Sequence, residues 1–501
     1  MPGRRGEGMD GDATAGSAKG EAGARGEAVE AKGGVGAGAR GEAGNRKVAL
    51  AVACFSSFMT PYLSAAVNMA LPAIGRDLGL DAVGLGWVNT AFLVTAAPLL
   101  LPFGKLGDMV GRKKIFIIGI AAYTLFSALA SLAPTGAVLI AMVALTGAAA
   151  SMIFGTGVAI LTSVYPPAER GRVLGINVAF TYAGLSLGPL AGGFLTHEFG
   201  WRSVYLLNVP VGLIAFVLAA TRLKGEWLGQ RGQRFDLGGA LLSIATLMPL
   251  IYGLSVLPDP VGYALVGLGA VAFALFVWRE GRAKNPLLSL ALFRGNRAFG
   301  MSNLAALINY AATFALTFFM SLYLQYIRGF DPEKAGLILI SQPLLMVIFS
   351  PIAGRLSDRL EPRLLASAGM AIMTVMLALF TTLGATTSLG ILVLELVIVG
   401  IGYAFFSSPN TNAVMGSVAP PSYGVASATL GTMRLVGQML SMGIAMLLVS
   451  LGPGRRAITA AVYPELLHSM HLGMGIFAAL CLFGVFASLA RGRRQGPGGR
   501  R

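Results

Sequence analysis

The sequence predicts an all-α polytopic membrane protein of about fourteen transmembrane helices arranged 6+2+6. Three observations carry this. First, 55% of the 501 residues are hydrophobic and only 12% are charged, about half the charged share of a soluble domain. Second, the apolar residues fall in uncharged blocks of about 20, the length that crosses a bilayer as a helix. Third, the charged hinge Gly104-Lys105-Leu106-Gly107-Asp108 returns later as Gly354-Arg355-Leu356-Ser357-Asp358. A loop repeated inside a hydrophobic chain implies duplicated halves, a common plan among membrane carriers.

Taken in order, residues 1–46 are rich in Gly, Ala, Glu and Arg without apolar periodicity. Such a stretch buries too little surface to offset the entropy of ordering, so a disordered cytoplasmic tail is expected. The charged region ahead of the first span lacks a cleavage site, and no leader is expected. Spans are predicted near 48–74, 83–103, 115–133, 137–164, 171–195, 203–221, 237–257, 261–278, 298–325, 335–354, 364–384, 389–409, 423–450 and 470–490. The first hinge joins spans 2 and 3, and its relative joins spans 10 and 11. That offset of eight is six for one bundle plus two for an insertion. The expected organisation is an N-terminal six-helix bundle over 47–222, two inserted helices with a linker over 223–296, a C-terminal bundle over 297–490, and a cytoplasmic tail over 491–501.

The net charge of +16 raises the question of nucleic acid, and its placement answers it. Nearly every Lys and Arg lies in a terminus or a loop, where cations set topology and meet lipid head groups; no nucleic-acid partner is expected. Loops after even-numbered spans are the richer, holding Lys105, Arg112, Lys113, Lys114, Arg170, Arg172, Arg355, Arg359 and Arg363 among others. This puts both termini in the cytoplasm of a cell whose plasma membrane the chain spans. Cys54 and Cys481 fall inside spans, which leaves no disulfide framework or thiolate metal site. No cofactor or metal is expected. No phosphate-binding Gly-x-x-x-x-Gly-Lys-Ser/Thr loop occurs, which argues against ATP drive, and no His, Cys or carboxylate constellation suggests an enzyme.

Further motifs stand at matching places. Span 1 ends in Asn68-Met69-Ala70-Leu71-Pro72, and Trp87 leads span 2. Span 5 carries Gly175, Gly184, Gly188-Pro189 and Gly192-Gly193, followed by Gly200-Trp201-Arg202-Ser203-Val204-Tyr205 and Asn208-Val209-Pro210. With the hinge from Gly104 to Lys114, this ordered set resembles the major facilitator superfamily and, within it, the fourteen-helix drug–proton antiporter family. The resemblance implies a major facilitator fold, with two pseudo-symmetric bundles around a central cavity. It also implies monomeric function, alternating access, and proton-driven export of lipophilic, often cationic small molecules. Two departures weigh against classical proton coupling. Where the family usually has an acid in helix 1 this chain has Tyr62-Leu63-Ser64, and where it usually has an arginine in helix 4 Val143 stands four before Gly147. A carrier of an endogenous metabolite or lipid-like compound is therefore the alternative. A transporter-shaped receptor would need an extra folded domain, and a membrane enzyme a catalytic set; the sequence offers neither.

The candidate residues follow. In the hinge, Gly104, Gly107 and Gly111 permit tight turning and close approach. Asp108 is placed to pair with Arg112 or to sit at a helix N-terminus, where the dipole favours an anion; Asp358 is its counterpart. In the resembled family this cluster latches the cytoplasmic face. Gly184, Gly188 and Gly192, with Pro189 and Gly193, form a small-residue face that serves close packing or a moving seal. Glu395 and Arg434 lie deep in spans, where a charge is seldom kept without a partner or a function. Either they form a structural ion pair, or Glu395 carries a proton and Arg434 holds an anionic substrate group. Asn68, Asn89, Asn177, Tyr182, Asn309, Tyr310 and Gln438 are polar candidates for the cavity or for interhelical hydrogen bonds.

Overall fold

In lipid every backbone N–H and C=O has to be satisfied within the segment, so apolar blocks of this length fold as helices. The computed structural model describes residues 17–80, 82–229, 232–257, 259–452 and 462–492. Among these, 14 helices are long and apolar enough to span a membrane: α1 (Ala43–Leu78), α2 (Gly84–Val110), α3 (Arg112–Ser131), α4 (Gly136–Val164), α5 (Arg170–Phe199), α6 (Arg202–Thr221), α7 (Leu237–Leu254), α8 (Pro260–Glu280), α9 (Arg297–Ile327), α10 (Lys334–Arg359), α11 (Pro362–Phe380), α12 (Leu389–Gly416), α13 (Pro420–Leu451) and α14 (Tyr463–Leu489). The helix that contains α1 already begins at Ser17, where the sequence predicts a disordered tail.

The packing repeats with an offset of eight helices. Within the first half α1 packs on α5, α2 on α4, α3 on α4, and α6 on α1 and α3; within the second α9 packs on α13, α10 on α12, α11 on α12, and α14 on α9 and α11. Between halves the correspondence continues: α5 meets α10 and α12, while α13 meets α2 and α4. Each half therefore offers its second and fifth helices to the other, the pattern expected of a pseudo-twofold axis between two bundles. Each bundle has its own apolar core, one around Met59, Tyr62, Ile120 and Tyr205, the other around Phe319, Met373, Phe380 and Phe477.

The inserted pair breaks the symmetry. Helices α7 and α8 pack on each other, and α7 lies along the seam between α2 and α13. A third apolar cluster fills that contact, joining Leu100 and Leu101 of α2, Leu247 and Ile251 of α7, Phe276 of α8, and Val425 and Leu435 of α13. Trp87 stacks on Tyr252 at 4.9 Å. Helix α9 is interrupted near Phe314 and ends in a π-turn over Tyr323–Ile327. At the interruption Ala315 N–H donates to Ser441 Oγ of α13 at 3.0 Å, so the freed backbone group stays satisfied inside the bundle.

Candidate functional site

Beside the apolar contacts, two polar regions join the bundles among the described residues. The first lies at the cation-rich end, where the hinge sits. Asp108 is fully buried and does both things its sequence position allows. It pairs with Arg112 at 2.7 Å, one turn along the chain, and it accepts from the backbone N–H groups of Gly424 at 2.9 Å and Val425 at 3.0 Å. Those amides open α13, so a carboxylate of the first bundle caps a helix of the second, the favourable sign for the helix dipole. Arg112 is buried too and continues the network: it donates to Ser163 Oγ at 2.7 Å and to Pro420 O at 2.5 Å. Its guanidinium lies over the Tyr423 ring at 5.3 Å.

The mirror image occurs across the pseudo-axis. Asp358 of α10 accepts from the N–H groups of Gly171 at 2.7 Å and Arg172 at 2.9 Å, which open α5. Reciprocal capping of this kind needs the backbones to touch. Gly354 presses on Gly171 and Gly175, and Gly104 on Gly424 and Ala428; a Cβ at Gly354 would stand 3.0 Å from the Gly175 Cα, and one at Gly104 would stand 2.8 Å from the Gly424 oxygen. Gly111 breaks α2 from α3 at φ 128°, with the Glu226 carboxylate where a Cβ would go. The segment after α6 crosses this hinge: Arg112 N–H donates to Trp227 O at 3.2 Å and Gly229 N–H to Asp108 O at 2.8 Å.

The glycine face of α5 belongs elsewhere. Gly184, Gly188 and Gly192 lie against Phe58, Tyr62, Ala65 and Ala66 of α1, inside one bundle. Nothing stands close to where a Cβ of Gly193 would project, and Pro189 lies within the continuous helix. In this conformation the face packs within one bundle, and the glycines that meet the other bundle include Gly171, Gly175, Gly354, Gly104 and Gly424.

The second region is a cavity at mid-depth, about 70 Å³ in volume and walled by both halves. Its polar groups include Ser57, Asn177, Thr181 and Tyr182 from the first bundle and Tyr310, Ser407, Asn410, Thr411, Ser427 and Arg434 from the second. Asn177 donates to Ser57 Oγ at 2.8 Å, and the Tyr182 hydroxyl donates to Ser407 Oγ at 3.4 Å across the axis. Tyr403 stands edge-on to both Tyr182 (5.8 Å) and Tyr310 (5.6 Å). The Asn410 Oδ1 is buried without a hydrogen-bond partner. Arg434 supplies the single charge of the wall and lies over the Phe154 ring at 5.1 Å.

Glu395 is buried within α12 but outside this wall, and its Oε2 has no partner. No ion pair joins it to Arg434 among the described residues, which corrects the pairing that their similar depths suggested. Equal depth is not enough when only one of the two side chains, Arg434, faces the cavity between the halves. Asn309 turns inward, with its amide 3.7 Å from Met373 Sδ. Asn68 is exposed on α1 and donates to Ser64 O at 3.1 Å. Gln438 is half-buried on α13, away from the wall, and the Asn89 side chain lies outside the described residues.

The sequence profile of the Major Facilitator Superfamily matches residues 53–442 and 302–501. The chain belongs to that superfamily. The transporter is 32% identical to the riboflavin transporter RibZ of Clostridioides difficile (strain 630) over 77% of its own length and 84% of RibZ. It is also 32% identical to the cephamycin export protein CmcT of Amycolatopsis lactamdurans, over 89% and 94% of the two chains. Among solved structures, the proton:xylose symporter XylE superposes with a TM-score of 0.64 at 12% identity, covering 89% of the transporter and 95% of XylE. At that identity the likeness is one of fold.

Cavity residues such as Ser407 and Phe154, and the Tyr403 ring packed behind them, were not singled out from sequence, although part of their signal was present. On α12 Tyr403, Ser407, Asn410 and Thr411 follow the helical period, as do Ser427, Gly431 and Arg434 on α13. A polar stripe at that spacing in an apolar span marks one face.

Proposed function

We propose that the protein exports lipophilic small molecules by alternating access, the bundles 47–222 and 297–490 rocking about the shared cavity as a monomer. The cation-rich end lies in the cytoplasm of a plasma membrane, so this conformation is closed to the cytoplasm by the two capping aspartates. The observation that carries the reading is the composition of the wall: aromatic rings, aliphatic groups, uncharged polar groups and one guanidinium, contributed by both halves. Such a wall suits neutral or acidic amphiphiles better than cations. At about 70 Å³ the cavity is well below the ~300–1,000 Å³ of drug-sized sites, as befits a state between loading and release. The export function named for CmcT supports this assignment.

Efflux of an acidic fluorescent dye from vesicles under an imposed pH gradient tests it, with Arg434→Ala as the decisive variant. Arg434→Ala raises KM for the acidic dye about tenfold, the worth of one lost charge-assisted contact. A neutral dye feels the change much less. Equal effects on both would refute the anion-binding role.

Within the two bundles, Glu395 is the candidate for coupling among the described residues. An intramembrane carboxyl without a counter-charge is by default a functional site, and Glu395 is such a group. Glu395→Gln leaves the protein folded and flattens the pH dependence of transport; wild-type transport with its pH dependence intact would dismiss Glu395 as the proton carrier. The second reading, a metabolite carrier without classical proton coupling, is favoured by the absence of any carboxylate from the cavity wall and by the substrate named for RibZ. Metabolite counterflow with no dye efflux would select it.

A further inference from the structure

At the foot of the inserted pair, on the cation-rich end, a second cavity opens, apart from the one between the bundles. It measures about 400 Å³, and its charged and aromatic lining includes Arg234, Asp236, Trp278, Arg279, Arg282 and Lys284. Four of these are cations and one is an acid. The acid is already engaged: Asp236 Oδ1 accepts from Arg279 at 2.6 Å and from Gly239 N–H at 2.9 Å, and its other oxygen is turned toward Gly239, beside Glu280. Arg234, Arg282 and Lys284 have no carboxylate partner among the described residues. Arg282 is held over the Trp278 ring at 4.3 Å, which fixes its guanidinium at the rim. The surface beside the rim is apolar: Leu237 and Leu241 on the first turns of α7, and Leu275 and Trp278 on the last turns of α8, are each more than half exposed.

We propose that this cavity binds the phosphate of an anionic phospholipid, with Arg234, Arg282 and Lys284 around the headgroup and the acyl chains against Leu237, Leu241, Leu275 and Trp278. A basic pocket between helices at the membrane interface is the arrangement that selects charged over zwitterionic lipid. Trp278 at the rim is the residue type that settles at headgroup level. The apolar wall distinguishes a lipid from a free phosphate ion, for which it would offer nothing. The inserted pair thereby gains an anchor in the leaflet, independent of what the central cavity carries.

Native mass spectrometry of the full-length protein, purified and exchanged into mixed micelles, tests this. The probes are phosphatidylglycerol, phosphatidylcholine and inorganic phosphate. The wild type retains phosphatidylglycerol over phosphatidylcholine, and R234Q/R282Q/K284Q lowers that preference about a hundredfold, three surface cations' worth. Arg297, Arg355 and Arg359 replaced by Gln give a control of equal charge loss elsewhere, which keeps the preference. Should the triple variant not fold, Arg282→Gln alone lowers it about fivefold. The proposal is overturned if the control loses as much as the test variant, if phosphatidylcholine binds equally, or if millimolar inorganic phosphate displaces the lipid and stabilises the protein as well as the lipid does.

Discussion

Asp108→Ala opens the cation-rich face. The substitution removes the acceptor of two helix-capping N–H groups and the partner of a buried arginine. Leaving one charge of a buried pair uncompensated costs about 3–5 kcal/mol, and the cost falls only on the closed conformer, because opening returns Arg112 and the α13 amides to water. A cost of about 3 kcal/mol shifts the closed-to-open ratio by more than a hundredfold. The measurement is labelling of Ser427→Cys, a cavity residue, by an impermeant maleimide added from the hinge side. The native cysteines are both buried and give little background. The rate rises at least tenfold in Asp108→Ala, and transport falls with it. Asp358→Ala acts in the same direction through its two lost amide bonds, by about 1–3 kcal/mol. Unchanged labelling in both would mean that the capped carboxylates do not govern closure.

Gly354→Val and Gly188→Val fail in different ways. The neighbours of a Cβ at Gly354 are backbone atoms of Gly171 and Gly175 in the other bundle, with no side chain to yield. Overpacking there costs about 1–3 kcal/mol or more, and separation of the bundles relieves it. Gly354→Val is expected to be made at nearly wild-type level, to label freely at Ser427→Cys, and to transport at a tenth of the normal rate or less. Gly188 instead faces Tyr62, Ala65 and Ala66 of its own bundle, where no functional motion gives relief. Gly188→Val is expected to lower yield and melting temperature by several degrees while the folded fraction keeps a closed face. If the two variants behaved alike, the distinction between seam glycines and packing glycines would be lost.

Much of this was legible in the chain. Span number, the 6+2+6 order and the relation of Asp108 to Asp358 follow from block length and a repeated pentapeptide, because hydrocarbon leaves a helix no alternative. The reciprocal capping was half legible: the sequence shows an aspartate fit for a helix N-terminus but not that the helix belongs to the opposite half. Glu395 and Arg434 illustrate the limit. Depth along a helix is encoded in residue number, whereas the direction a side chain faces depends on how twelve helices rotate against one another. The α5 glycines were ambiguous for the same reason, since a small-residue face permits contact without naming the partner.

The symmetry-breaking position of α7 has one more consequence. Of the two equivalent seams between bundles, α2–α13 is walled off from the bilayer by the inserted pair, while among the described residues no third helix runs outside α5–α10. A lipophilic solute that reaches the axis sideways, from the leaflet rather than from water, is left a single door, and it stands on the side of the molecule away from α7 and α8.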